Sequence, residues 1–382
     1  MAALSSGHCA TDFAGGALPA LLPFFVDKFD LSYTLAAAAM LVSAISSSVI
    51  QPFFGLWSDR RGAIWLLPTG VALAGAGMAV AAVSPSYWIV LLFVAVSGLG
   101  TAAFHPEGSK FAAFAGGDKR ASAMSLFSVG GNLGYALGPT IATPLVLAFG
   151  LEGGLFVAVP AVGVALALLR VAPRLASLSP ERGRRSESDE PDRIGALVLL
   201  LGVIAFRSLA WFGLITFVPL YEVSLGHSKA HGNHLLSLML LAGGIGTLAA
   251  GPLADRFGRR PVLLVSTAVT APLILVYVTV GGAAGAIALA GVGVAVIGTF
   301  GVTMVMSQEY LPRHIGMASG LSIGLSIGLG GIGAIMLGAI ADSVDLRTAM
   351  YVAAGAAAVG LVLAALLPAT PHRRFAAEPA VP

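Results

Sequence analysis

Gly55-Leu-Trp-Ser-Asp59-Arg60-Arg-Gly62 recurs later in the chain as Gly251-Pro-Leu-Ala-Asp255-Arg256-Phe-Gly258. The glycines, the aspartate and the first arginine match at one constant offset, which indicates an internal repeat. Each copy lies between the second and the third long apolar segment of its half of the chain. The repeat therefore predicts two equivalent halves, each with a charged turn at the same place.

The composition is that of a polytopic membrane protein. Hydrophobic residues make up 57% of the 382 residues and charged residues 10%, whereas a soluble domain has about 25% charged residues. Many continuous apolar runs reach the length of about 20 residues that one membrane-spanning helix needs. The runs do not alternate as the strands of a β-barrel do. The single cysteine, Cys9, excludes a disulfide within the chain, and we find no nucleic-acid-binding signature.

The apolar pattern predicts an all-α membrane protein with twelve transmembrane helices in two pseudo-symmetric six-helix bundles. The predicted spans 1 to 12 cover residues 6–26, 33–57, 63–83, 87–113, 121–149, 154–171, 194–221, 235–254, 261–280, 284–308, 315–341 and 348–367. The N-terminal bundle takes residues 1–171, a polar linker residues 172–193 and the C-terminal bundle residues 194–382. In such transporter architectures the substrate binds between the halves near mid-membrane.

Lysine and arginine predict the orientation of the spans, because cytoplasmic loops carry most of these residues. They concentrate after spans 2, 4, 6, 8, 10 and 12, and the opposite side has Lys28, Lys229 and Arg347. Both termini and the linker are therefore predicted to lie in the cytoplasm.

The doubled loop, the twelve spans and the long central linker resemble the major facilitator superfamily along the whole chain. Shorter blocks are similar to the fosmidomycin resistance protein family: Gly7-His-Cys-Ala-Thr-Asp12, Val49-Ile-Gln-Pro52, Phe104-His-Pro-Glu107, Val129-Gly-Gly-Asn-Leu-Gly134 and Gln308-Glu-Tyr-Leu-Pro312. The resemblance implies a multi-pass pump of the bacterial inner (plasma) membrane that exports a small drug in exchange for protons. It implies a monomer that uses the proton gradient and no cofactor.

The two copies of the loop supply the predicted gating residues Asp59, Arg60, Asp255 and Arg256. An aspartate at a helix end beside an arginine can bridge to neighbouring helix ends while a gate is shut, and the glycines permit a sharp turn. The alternative is a solvated loop that follows the positive-inside rule. The second copy keeps the later basic pair at 259–260, which the first lacks, and is the more complete gate.

His8 and Asp12 are candidates for proton coupling because their i,i+4 spacing puts them on one helix face. Burial in a span disfavours the charged form of a carboxylate, as a reversible proton carrier requires. The alternatives place Asp12 in the headgroup zone or as a helix cap.

His105 and Glu107 form a second candidate pair in span 4, where Pro106 favours a kink. Ionisable groups inside a span usually mark an ion or substrate path. Glu107 is the first candidate for the proton site, and its alternative is a structural ion pair with Lys110. Gln308-Glu309 holds the analogous place in span 10 and is predicted to be structural.

Substrate contacts are predicted for Arg207, Trp211, Asn132 and Tyr135. Arg207 lies deep in span 7, where a guanidinium needs an anion, and a phosphonate such as that of fosmidomycin-like compounds would serve. An internal carboxylate is the alternative partner. Trp211 follows one turn later and could wall a cavity, although a buried tryptophan is more often packing. The glycines beside Asn132 and Tyr135 predict close helix contact.

Two further motifs are predicted to have structural roles only. Gly-Leu-Ser-Ile-Gly occurs twice in overlap at 320–328, but a hydrolase needs this motif at a strand-to-helix turn, so it predicts a small-residue packing face. His227, His231 and His234 could bind a metal weakly, and a solvated loop is the preferred interpretation.

The leading functional prediction is a proton-coupled efflux antiporter for fosmidomycin-like or amphiphilic compounds. The alternative within the same class is uptake of a small organic anion by proton symport. An intramembrane enzyme is disfavoured because the chain has no His-Glu-x-x-His and its serine motifs lie within an apolar run. A non-transporting sensor should lack intramembrane charge or carry a soluble domain, and this chain does neither.

Overall fold

The computed structural model describes residues 1–61, 63–116, 120–176 and 191–368, and this part of the chain is α-helical with no strand. The helices are α1 (Ala2–Phe29), α2 (Tyr33–Ala44), α3 (Gln51–Arg61), α4 (Leu66–Val83), α5 (Tyr87–Gly116), α6 (Arg120–Phe149), α7 (Ala158–Ala176), α8 (Ile194–Ser224), α9 (Lys229–Phe257), α10 (Arg259–Val280), α11 (Gly282–Gly298), α12 (Phe300–Tyr310), α13 (Ile315–Ser343) and α14 (Leu346–Leu366). The all-α prediction is confirmed for these residues.

Two predicted spans are each divided between two helices. A π-helical turn, Ile45–Val49, separates α2 from α3 within span 2. Thr299 separates α11 from α12 within span 10. Such interruptions of a helix are frequent at functional sites.

In the described residues, eleven helical segments are long and apolar enough to cross a membrane. One of them, Ala123–Ala176, has 54 residues, far more than the about 20 that one crossing needs. It contains most of α6, a 3₁₀ stretch over Gly150–Val157, and α7. Gly153 lies directly against the backbone of Leu145, so the chain reverses there. Two crossings fit this segment, as spans 5 and 6 predict.

Helix α7 extends to Ala176, beyond the predicted end of span 6 at 171. Leu175 is the reason, because it is buried in the same apolar cluster as Leu4 and Leu168. The first half therefore extends to Ala176, whereas the linker is predicted to begin at residue 172. Most of the predicted linker lies outside the described part of the chain.

Glycines of α6 allow it to pack closely on α1. Gly130, Gly134 and Gly138 follow one another at i,i+4, and a methyl group built on each would overlap the backbone of α1. Small residues at a helix interface permit this approach in a membrane. The close helix contact predicted from these glycines is confirmed.

The packing-face prediction for 320–328 is wrong for its glycines. Gly320, Gly324 and Gly328 face open space, with no atom within 4 Å of a built methyl group. The serines are the buried members of the motif: Ser326 lies 2.7 Å from the Ser208 hydroxyl, and Ser322 contacts Ser307.

Residues 1–176 form the first half of the molecule and residues 191–368 the second. One apolar cluster joins the two halves, while each half also has a cluster of its own. Across the halves, Asp342 accepts hydrogen bonds from Tyr33 and Thr34, and Lys229 pairs with Asp27. Both contacts lie at the end of the molecule where α1 ends and α2 begins, so the halves are tied together at that end.

Candidate functional site

A cavity of about 300 Å³ lies between the two halves. Helices α1, α2, α5 and α6 line it from the first half, and α8, α9, α11, α12 and α13 from the second. The sequence-predicted residues that line this cavity are Asp12, His105, Asn132, Tyr135, Arg207 and Trp211.

Asp12 lies between two histidines at the wall of the cavity. Its Oδ2 is 3.2 Å from His8 Nε2, and its Oδ1 is 3.1 Å from His105 Nε2. The His8 and His105 rings meet edge to face with centroids 4.8 Å apart. The structure thus joins the pair predicted in span 1 to one member of the pair predicted in span 4.

Helix α6 fixes the orientation of His8. The Nδ1 atom lies 2.8 Å from the carbonyl oxygen of Phe127, and the two rings stack with centroids 4.1 Å apart. A carbonyl oxygen only accepts, so Nδ1 carries a hydrogen and donates it. His8 Nε2 can then bond Asp12 only if the imidazole or the carboxylate holds one further proton. The pair therefore has a place for a shared proton.

Glu107 is turned away from the cavity. Its side chain is 1% exposed, and Oε2 lies 2.6 Å from Lys110 Nζ. The alternative predicted for Glu107, an ion pair with Lys110, is present in the structure. A role in proton coupling stays a prediction.

Arg207 reaches the cavity from the second half. Its side chain is buried, at 5% exposure, and Nη1 donates to the Thr299 hydroxyl at 2.6 Å. Within the described residues no carboxylate lies within ion-pair distance of this guanidinium, so the alternative of an internal acidic partner is not realised there. A buried cation held by a neutral hydroxyl can gain from an anion entering the cavity.

The other predicted substrate residues also line the cavity. Trp211 lies one turn after Arg207 on α8. The Asn132 amide donates to the Thr247 hydroxyl at 3.3 Å across the two halves. The Tyr135 ring lies against Gly15, at ordinary van der Waals distance from a methyl group built there.

The structure describes the side chains of the second copy of the loop. The side chains of Asp59 and Arg60, at the end of α3, lie outside the described residues. Asp255 and Arg256 are exposed at the end of α9. The basic pair that follows anchors α10: Arg259 lies 2.7 Å from Glu309, and Arg260 donates to the Ala365 carbonyl at 2.9 Å. The pair at Glu309 agrees with its predicted structural role, and gating stays a prediction.

Sequence reasoning missed Glu222 near the end of α8. Its carboxylate is buried and meets His227 and His231, two of the histidines assigned to a solvated loop. The sequence does place Glu222 directly after predicted span 7, only five residues before His227 and nine before His231. This short spacing could have suggested that the carboxylate meets the two histidines.

Comparisons with known proteins agree on one family. The family model described as Major Facilitator Superfamily matches residues 4–321 and 199–381. The chain is 34% identical to an uncharacterized MFS-type transporter, YfnC, of Bacillus subtilis (strain 168), over 94% of this chain and 90% of that protein. It is 30% identical to the fosmidomycin resistance protein of Escherichia coli (strain K12), over 98% and 93%.

A solved structure of similar fold is a bacterial homolog of the human lysosomal transporter Spinster, in an inward-facing and occupied conformation. The TM-score is 0.75 at 16% identity, covering 96% of this chain and 95% of that one.

Proposed function

This chain belongs to the major facilitator superfamily of transporters, and we propose that it is a proton-coupled antiporter that exports a small anionic or amphiphilic compound. It works as a monomer in the bacterial inner membrane, with both termini in the cytoplasm, and uses the proton gradient without a cofactor. A phosphonate of the fosmidomycin type is the first candidate substrate, because a relative of 30% identity is a fosmidomycin resistance protein.

One observation carries the proposal: a carboxylate paired with histidines and a buried arginine face the same cavity from opposite halves. Asp12 and His105 line it from the first half, and Arg207 lines it from the second. The planar guanidinium matches the oxygens of a phosphonate in a two-point contact. Movement of one half against the other would separate the two sites, as alternating access requires.

The proposed cycle starts with the cavity open towards the chain termini. An anionic compound binds Arg207 in place of, or beside, the Thr299 hydroxyl, and the halves rock to release it outside. A proton from outside then occupies the Asp12 group, made up of His8, Asp12 and His105, and favours the return to the starting state, in which it is released to the cytoplasm. Glu107 supports this group from the same helix as His105 and is the second candidate for the proton.

The gate at the terminal side is assigned to the doubled loop. Asp59 and Arg60, with Asp255 and Arg256, bridge helix ends when this side is shut. The exposure of Asp255 and Arg256 fits a cavity that is open towards the termini.

Uptake by proton symport is the second candidate, because it would use the same residues in the opposite direction. Substrate accumulation in intact cells, with and without an uncoupler, separates the two. Export lowers the accumulation of fosmidomycin while the gradient is present, whereas symport raises it.

The direct test compares wild type with Asp12→Asn, Glu107→Gln and Arg207→Lys in the same export experiment. We expect Asp12→Asn to abolish gradient-dependent export, and Arg207→Lys to weaken apparent substrate affinity about 10- to 150-fold, equivalent to about 1.5–3 kcal/mol for a charged hydrogen bond. Normal export by Asp12→Asn with loss in Glu107→Gln would move the proton site to Glu107. Normal export by all three variants would contradict the proposal.

A further inference from the structure

We propose that Glu222, His227 and His231 form a binding site for one divalent transition-metal ion of the zinc class, separate from the central cavity. The site belongs to the turn between α8 and α9, at the end of the molecule where the halves are joined. It is independent of the proposed transport function.

The three side chains already converge. Glu222 Oε2 lies 2.5 Å from His227 Nδ1 and 3.5 Å from His231 Nε2, and one ligand atom from each residue lies within 4.8 Å of the others. Ligand atoms about 2.0–2.2 Å from a zinc ion in a tetrahedral site are themselves about 3.3–3.5 Å apart. The observed separations need changes of about 1.5 Å or less to reach those of a tetrahedral zinc site, which side-chain rotation supplies.

Donor chemistry and accessibility fit a zinc-class ion. Two imidazoles and one carboxylate are a common ligand set for zinc in sites that keep a fourth position open. The Glu222 side chain is 5% exposed, whereas His227 and His231 are 52% and 50% exposed. The carboxylate is thus held within the protein while the imidazoles face the solution from which an ion would enter.

Neighbouring groups hold the ligands in position. The Tyr277 hydroxyl donates to Glu222 Oε1 at 2.8 Å, which leaves Oε2 directed at the histidines. The His227 backbone N–H donates to the Glu222 carbonyl at 3.0 Å. The Ser228 hydroxyl accepts from the His231 N–H at 3.2 Å and caps α9. Such outer contacts orient ligands and raise metal affinity.

The turn itself depends on Gly226, whose φ of 88° lies in the left-handed region. Glycine takes this conformation without the steric cost that a side chain imposes. It allows the chain to reverse between Glu222 and His231 within a short loop.

The test uses the full chain in detergent, purified through a tag without histidines and stripped of metal by a chelator. Zn²⁺ is titrated in competition with a chromophoric chelator, and Co²⁺ absorption reports the coordination geometry. We expect one equivalent of Zn²⁺ to bind the wild type with a tetrahedral Co²⁺ spectrum, and no comparable binding of Mg²⁺, which prefers oxygen ligands.

The variants assign the ligands. His227→Ala and His231→Ala should lose the bound equivalent, and Tyr277→Phe should weaken it about 10- to 100-fold as the loss of an outer contact does. His234→Ala is the matched control, because His234 is an exposed histidine of the same helix outside the cluster. Thermal unfolding without metal checks that each variant is folded, and His231→Gln replaces His231→Ala where it is not.

Retention of the zinc equivalent in the His227→Ala/His231→Ala double variant would overturn the assignment. The absence of binding by the wild type, or an equal loss in His234→Ala, would overturn it as well.

Discussion

Asp12 has two histidine neighbours that play unequal parts. His8 has its Nδ1 hydrogen committed to the Phe127 carbonyl, so its contact with Asp12 requires a shared proton. His105 can donate from Nε2 as a neutral ring, so its contact with Asp12 requires no shared proton. Loss of the shared proton therefore weakens the contact to His8 first. Because Phe127 belongs to α6, this links the protonation state to the packing of α1 on α6.

Substitution of Gly131 by alanine should disable the Asp12 group without changing any titratable residue. A methyl group built there lies 2.4 Å from His8 Nε2 and 2.7 Å from Asp12 Oδ2, so both side chains must shift. We expect gradient-dependent transport to fall at least about tenfold, since hydrogen-bond geometry between reacting groups is sensitive to shifts of about 1 Å. Proteoliposomes with an imposed pH gradient provide the measurement.

Gly163→Ala is the control, because a methyl group on this glycine of α7 meets no atom within 4 Å. Equal transport by the two variants would contradict the role given to the geometry of the Asp12 group.

The contact between His8 and Asp12 could be predicted from their spacing, since residues four apart share a helix face. The sequence could not predict which of His105 and Glu107 faces the cavity. Two residues apart on one helix, they project about 200° from each other, so one of them at most faces a given cavity. Which one does is set by how α5 rotates against its neighbours. The structure directs His105 to Asp12 and Glu107 to Lys110.

At the scale of the elements, the interruption of span 10 illustrates what an apolar pattern leaves open. The apolar run of span 10, residues 284–308, predicts one continuous helix, whereas Thr299 divides it, with φ −91° and ψ 6°. The Thr299 hydroxyl accepts from Arg207, which lies on another helix. The break coincides with this contact between distant helices, which the local sequence pattern does not contain.

The seam between α1 and α6 yields a prediction at the same scale. Gly134→Leu should destabilise the protein, because a methyl group built on Gly134 lies 2.1 Å from the Cys9 carbonyl oxygen, a backbone atom that has no rotamer to change. Overpacking of this kind costs about 1–3 kcal/mol or more. We expect a lower unfolding temperature in detergent, measured by thermal unfolding with size-exclusion chromatography.

Gly355→Leu is the matched control for this seam, since Gly355 of α14 is exposed and has no atom within 4 Å of a built methyl group. An unfolding temperature that is unchanged in Gly134→Leu would show that α1 and α6 can separate at little cost.

For the whole molecule, the superfamily resemblance seen in the doubled loop is confirmed by the family match along both halves of the chain. The sequence does not predict which conformation is observed, because an alternating-access protein has the same sequence in each of its states. The structure shows the conformation through contacts between the two halves, which the internal repeat does not predict. Asp342 accepts from the backbone N–H groups of Tyr33 at 2.7 Å and Thr34 at 3.0 Å. It thereby caps α2 of the first half from α13 of the second.

This cap between the halves should stabilise the state that is closed at its own end. Removal of a helix-capping side chain costs about 0.5–2 kcal/mol, so Asp342→Ala should raise the population opened at that end about 2- to 30-fold.

The opening can be measured by thiol labelling. The chain has a single cysteine, so Cys9→Ala gives a background for one reporter, Ser43→Cys, in the cavity wall. We expect a membrane-impermeant thiol reagent added to intact cells to label this reporter faster in Asp342→Ala. Asp345→Ala is the control, because Asp345 caps α14 within its own half, accepting from the Thr348 N–H at 2.6 Å. An equal rise in both variants would mean that loss of any cap loosens this end, whereas a rise confined to Asp342→Ala would identify it as a latch between the halves.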